Sequence, residues 1–170
     1  MPMEHKAYAF DWSRFEIDLL PLLVKALTTN DTAELDRYID RHLLELKDPY
    51  EGEPLAADWR DMLENRDVHQ YGDFALTRYY DPADYWGIGY EWTRLDNELP
   101  EPAANAMLGF AIGPKENLFD PGKYGSYFQT PDRVAESLAV LQKVSCPELA
   151  GYLELLVRCV AEQRGVYVTF

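Results

Sequence analysis

The sequence predicts an α+β fold: a central, mostly antiparallel sheet of four to five strands packed by about five helices. Three observations carry this expectation. Apolar residues recur near every 3.6 positions over 13–65 and again over 131–162. In the middle of the chain the period drops to two. The strand-like segments also cluster there instead of alternating with helices, which argues against a doubly wound sheet. With 170 residues, the chain is expected to form a single domain over 1–170 and to bury roughly two-thirds of its unfolded surface.

From the N-terminus, Asp11 or Ser13 caps a helix running to about Ala26, in which Pro21 makes a kink or starts a second helix. Asp31 and Glu34 have capping-box spacing and open a helix through Leu46, with Leu35, Tyr38, Ile39 and Leu43 on its apolar face. The run Lys47 to Pro54 holds Pro49, Gly52 and Pro54 and reads as a loop. Pro54 suits the first turn of a third helix, with Leu55, Trp59, Met62 and Leu63 as its stripe. Residues 66–72 lose periodicity and read as a connector.

Asp73 to Trp92 is rich in Tyr and Trp and reads as a hairpin at the middle of the core. Phe74 to about Tyr80 forms its first strand, Tyr80 to Asp84 its turn, and Trp86, Ile88, Tyr90 and Trp92 one face of its second strand. Gly87 and Gly89 leave the opposite face open to a neighbour or ligand. A loop over 97–105 leads to a third strand at Ala106 to Ile112, and a long loop over 115–125 to a short one at Tyr127 and Phe128. Thr130-Pro131-Asp132 starts a helix. Ser145 and Glu148 open the last helix, with Leu149, Tyr152, Leu153, Leu156, Val157 and Val160 inward and Gly165 at its end. The final residues, 166–170, are β-rich and need a partner strand.

Charge is the strongest global signal. The net charge is −14, and residues 31–101 carry 19 Asp and Glu against 7 Lys and Arg. Nucleic acid and anionic membranes are excluded as expected partners, because both are met by clustered cations. A basic protein is the expected partner. Cys146 and Cys159 lie about 20 Å apart if one helix joins them, beyond disulfide reach, so two free thiols in a reducing compartment are expected. The first ten residues lack the pattern of a signal peptide, and no apolar run approaches the ~20 residues of a membrane span. The protein is therefore expected to be cytoplasmic.

Motifs for chemistry are absent. His5, His42 and His69 are far apart and show no metal-ligand spacing, so no metal and no cofactor is expected. Neither cysteine is expected to be activated by a lowered pKa, no serine sits in a nucleophile elbow, and the glycine pairs lack a phosphate-loop pattern. His69, beside Asp67 and Asp73, is the best single acid–base candidate. What remains is a surface of carboxylates and aromatics: Asp58, Asp61, Tyr80, Asp81, Asp84, Tyr85 and Glu91 are the expected partner-binding residues, with no catalytic residue assigned. The leading expectation is a non-enzymatic protein that recognises and neutralises a basic protein, of the immunity or antitoxin type. Its alternative is a small enzyme or ligand-binding domain with a pocket near His69 and the Gly87/Gly89 strand face.

Overall fold

The computed structural model describes residues 3–170. The chain divides into two compact units, one of Met1–Trp12, Asp84–Ala111 and Gly122–Phe170, the other of Ser13–Ala83 and Ile112–Pro121. The first is α+β and contains the whole sheet. The second is built from helices and loops. No helix among the described residues is long and apolar enough to cross a membrane.

In the first unit, β1 (His5–Phe10), β2 (Trp86–Gly89), β3 (Ser126–Gln129) and β4 (Gly165–Thr169) form one sheet in the order β2-β1-β4-β3, every pair antiparallel. The α+β class and the antiparallel sheet agree with the sequence, and β4 finds two partner strands. Strand β1 was not anticipated. Its inward residues are Ala7 and Ala9, too small to register as an apolar stripe, yet with Ile88, Val166 and Val168 they pack on Trp92, Met107, Val134, Tyr152 and Leu156. The opposite face is aromatic: the Phe128 and Tyr167 rings stack at 4.9 Å, and Phe10 meets Phe128 edge-on at 5.5 Å.

The helices of this unit are α5 (Trp92–Glu98), α6 (Glu101–Leu108), α7 (Pro131–Leu141) and α8 (Ala150–Glu162). Helix α7 begins where the sequence places it, with the Thr130 hydroxyl accepting from the Arg133 N–H. Helix α6 replaces the expected loop and third strand. Of that strand only the bridge between Phe110 and Phe128 survives. On α8 the buried stripe is Tyr152, Leu155, Leu156 and Cys159, an i, i+3, i+4, i+7 set, and Val157 and Val160 are 51% and 40% exposed rather than inward.

In the second unit, α1 (Trp12–Asp18, whose first residue lies in the first unit) and α2 (Leu20–Thr29) are separated at Leu19, with Pro21 in the first turn of α2, so the proline starts a second helix. Helix α3 (Ala33–Arg41) stops before His42, shorter than expected. The expected helix after Pro54 is only a 3₁₀ turn over Trp59–Met62. Buried Trp59 donates its indole N–H to Asp40 at 3.0 Å, while Asp36 and Asp40 grip Arg60 from both sides.

The hairpin expected at Asp73 to Trp92 does not form. Residues Val68–Leu76 are helix α4, capped by the Asp67 carboxylate, which accepts from the Gln70 N–H at 2.9 Å. Gln70 through Thr77 are all buried, and in a helix covered on most sides an alternation of apolar residues carries no periodic information. The second strand ends at Gly89; Tyr90 is 62% exposed, and Trp92 begins α5. Gly87 is where the backbone demands glycine: its φ is +138°, and a Cβ there would lie 2.3 Å from the His5 carbonyl oxygen. The open face read from the glycines is thus filled at Gly87 by strand β1.

Candidate functional site: an acidic cleft

A cleft of about 300 Å³ lies in the second unit, lined by Asp48, Tyr50, Glu51, Met62, Glu64, Gln70 and Phe74. Its outer wall is the loop after Leu46. There the Asp48 N–H donates to the Glu53 carbonyl at 2.8 Å, and the Tyr50 N–H donates to Asp48 Oδ1 at 2.8 Å. That second bond is the local turn Asp favours. The Lys47 N–H fastens the loop to α4 through Thr77 Oγ1 at 3.0 Å. The other wall, Met62 to Glu64, is fixed where the Asn65 N–H donates to Gln70 Oε1 at 2.8 Å.

Beside this cleft sits Asp73. It shares a face of α4 with Gln70 and Thr77, is 7% exposed, and its carboxyl has no hydrogen-bond or ion-pair partner among the described residues. Burial first, and the Asp48 charge second, push its pKa up to about 7. Tyr50 responds to the same field. Its phenol is raised by burial and then by Asp73, Glu64 and Asp48.

The surrounding charge sharpens this. The second unit holds 18 Asp and Glu against 9 Lys and Arg, a net of −9. Several of its cations are committed elsewhere. Arg60 belongs to Asp36 and Asp40, Lys25 to Glu34, and Lys47 to Asp81. Arg78 pairs with Asp18 and Glu45 and reaches the hydrogen-bonded hydroxyls of Tyr38 and Tyr79. Asp48, Glu51, Glu64 and Asp73 have no Lys or Arg within ion-pair distance among the described residues. No group of three or more His, Cys, Asp or Glu there is arranged to hold a metal ion.

The residues expected from sequence are distributed differently. Asp58, Asp61, Tyr80 and Asp81 belong to the unit with the cleft; Asp84, Tyr85 and Glu91 belong to the other. Asp58 and Asp61 are exposed at the 3₁₀ turn. Tyr80 is buried, at 7% exposure, so its side chain presents little surface. Asp81 accepts from the Ala83 N–H and from Lys47, which hold its carboxyl below the usual range. Asp84 is taken by the Trp86 indole at 3.1 Å and Arg158 at 3.2 Å. Glu91 joins Glu98 and Glu148 around Arg94. Tyr85 is 54% exposed, with the Lys6 ammonium 5.2 Å from its ring centre.

His69 lies in the first turn of α4, not in a connector. Its Nδ1 accepts from the Asp120 N–H at 3.1 Å, so its Nε2 carries the proton and donates to Asn117 Oδ1 at 2.8 Å. Asn117 in turn donates to the Leu27 carbonyl at 2.9 Å. This imidazole ties the 112–121 segment to the helices of its unit. His42 caps α3 and meets Glu45 at 3.1 Å, half-buried on its surface. In the first unit His5 is buried between Met107 O, 2.7 Å from Nε2, and the Ile88 N–H, 3.2 Å from Nδ1, and burial lowers its pKa to about 4. Both cysteines are free; burial pushes the Cys159 thiol up to about 11, and Cys146 is raised by burial and by Glu148. Neither is activated as a nucleophile.

Sequence reading passed over the cleft because it treated 47–54 as a plain loop and placed Asp73 at a strand start. The signal was present in Asp67-x-x-Gln70, an N-cap that puts Asp73 inside a helix. No protein-family model, no curated protein and no solved structure matches the chain.

Proposed function

We propose that the protein is a non-enzymatic, cytoplasmic binding protein that recognises a basic protein through the acidic face around the cleft and neutralises it, in the manner of an immunity protein or antitoxin. The observation that carries this reading is the set Asp48, Glu51 and Glu64, which line one cleft with no Lys or Arg at ion-pair distance among the described residues. Carboxylates kept together in a partly buried site repel one another, and a cationic partner offsets that cost. Exposed Asp58 and Asp61 extend the negative surface of the same unit. The net charge of −14 would speed encounter with a cationic partner and disfavours nucleic acid. A catalytic reading centred on His69 gains nothing from this geometry, because both ring nitrogens are already bonded.

The test is retention of proteins from a lysate of the source cells on the immobilised full chain, at low and at high salt, followed by identification of what is held. The reading requires a basic protein retained at low salt, released by salt, and lost when Glu51 and Glu64 are both changed to Lys. Retention of no basic protein at low salt ends it.

A further inference from the structure

We propose that His5 is an acid-operated latch: neutral, it fastens the edge strand β2 to β1 and to the end of α6, and protonated, it lets β2 open while the other three strands stay paired. The latch sits at an irregularity in the ladder. His5 pairs with Gly89 and Ala7 with Trp86, so two steps along β1 face three along β2, and the extra residue makes a bulge. There the Ile88 N–H donates to the His5 side chain, at Nδ1, 3.2 Å away. Nε2 therefore carries the proton and donates to the Met107 carbonyl at 2.7 Å. That carbonyl lies in the last turn of α6, where backbone acceptors have no partner inside the helix. One neutral ring, 1% exposed, thus joins three elements. Strand β2 is four residues long and stands at the edge of the sheet beside β1, whereas β4 lies between β1 and β3. Losing β2 leaves three strands still paired, so the opening is local.

Protonation breaks this arrangement because both ring nitrogens then donate. The Ile88 N–H is left facing another N–H, and a cation is left among the rings of Trp92, Tyr152 and Phe170, whose centres lie 5.4, 5.3 and 5.7 Å away. No carboxylate offsets it. The titratable groups on this side of α8 are the Tyr152 phenol and, next to it, the Cys159 thiol, both raised by burial and so neutral. The charged residues of the surrounding elements point elsewhere. Arg94, Asp96 and Glu98 on α5, Glu101 on α6, and Glu154 and Glu162 on α8 are exposed. Arg158 on α8 pairs with Asp84, and Lys6 on β1 with Glu4, while β2 carries no charge. Burial accordingly outweighs the Met107 and His5 carbonyls, which favour the cation, and the ring gains its second proton only near pH 4 while the latch is closed.

The experiment is amide hydrogen exchange on the full chain, followed by NMR from about pH 7 to about pH 4 and corrected for the intrinsic pH dependence of exchange. A released ring titrates at 6.5 and a latched one near 4, so opening should become about tenfold easier per pH unit between those values, about 300-fold in all. Protection of the Ile88 amide should fall by that factor. At about pH 4 it should exchange about 100-fold or more faster than the amides of Val166 and Val168, which β4 holds in the middle of the sheet. His5→Asn keeps an acceptor near the Nδ1 position and cannot titrate, so protection of Ile88 in this variant should be flat over the same range. If the variant folds poorly, the wild-type imidazole gives a second reading: a bare Nδ1 and a protonated Nε2 at neutral pH, with the second proton arriving together with the loss of Ile88 protection. Equal protection of Ile88, Val166 and Val168 at about pH 4 means that the unit opens as one and overturns the latch. So does protection of Ile88 that ignores pH in the wild type, or a ring that carries its proton on Nδ1 at neutral pH.

Discussion

Asp73 ties the stability of the fold to pH. Its carboxyl titrates near pH 7 when folded and near 3.8 when unfolded, so between those values the folded chain holds a proton that the unfolded chain has lost. Stability from this group is therefore full below about pH 4 and falls as pH rises to about 7, by at most roughly 4 kcal/mol. Asp73→Asn keeps the shape and removes the charge. Urea unfolding at pH 8 should show the variant more stable by about 2–4 kcal/mol, with the difference gone at pH 4. His5 works in the opposite sense: its folded pKa is near 4 against 6.5, so its contribution is full above pH 6.5 and is lost as pH falls towards 4, by roughly 3 kcal/mol. The two slopes oppose each other between about pH 4 and 6.5. The wild type should therefore show a shallow stability profile in that range, and Asp73→Asn one that drops steeply on acidification. A variant profile as shallow as the wild type would contradict the burial assigned to His5.

At the scale of elements, α4 and the loop before it make the cleft, and α4 depends on its cap. Asp67→Ala removes the acceptor for the Gln70 N–H and should cost about 1 kcal/mol in denaturant unfolding. In the first unit, Gly87→Ala combines a φ of +138° with a contact of 2.3 Å to the His5 carbonyl, and should cost about 2 kcal/mol or more, read in the same assay. Elements with local punctuation were legible in the sequence: the Pro21 break, the Thr130-Pro131 start of α7, and the β-branched and aromatic end that became β4. Those without it were not. Strand β1 hides behind two alanines, and α4 is covered on so many sides that its apolar residues imitate an alternating strand. The same misreading of α4 concealed the cleft, since a strand beginning at Phe74 separates Asp73 from Gln70 and Thr77, which a helix brings to one face. For Asp81, Asp84 and Glu91 acidity was visible, but pairing with Lys47, Arg158 and Arg94 joins distant parts of the chain and leaves no local pattern.

At the scale of the whole molecule, composition shows the excess of negative charge, and the structure adds how that charge is divided between the two units. The second unit carries −9 and the first −5. Association with a basic protein should accordingly accelerate at low ionic strength and weaken steadily with salt, a dependence that stopped-flow binding measures directly. The most direct test of recognition through the cleft is the affinity of a captured basic protein for the wild-type chain and for the double variant Asp48→Asn/Glu64→Gln, measured by calorimetry at one salt concentration. Both substitutions keep the size of the side chain, and Asn at 48 still accepts from the Tyr50 N–H. An affinity lower by about tenfold or more is the result expected if the partner reads the cleft; equal affinities would contradict it.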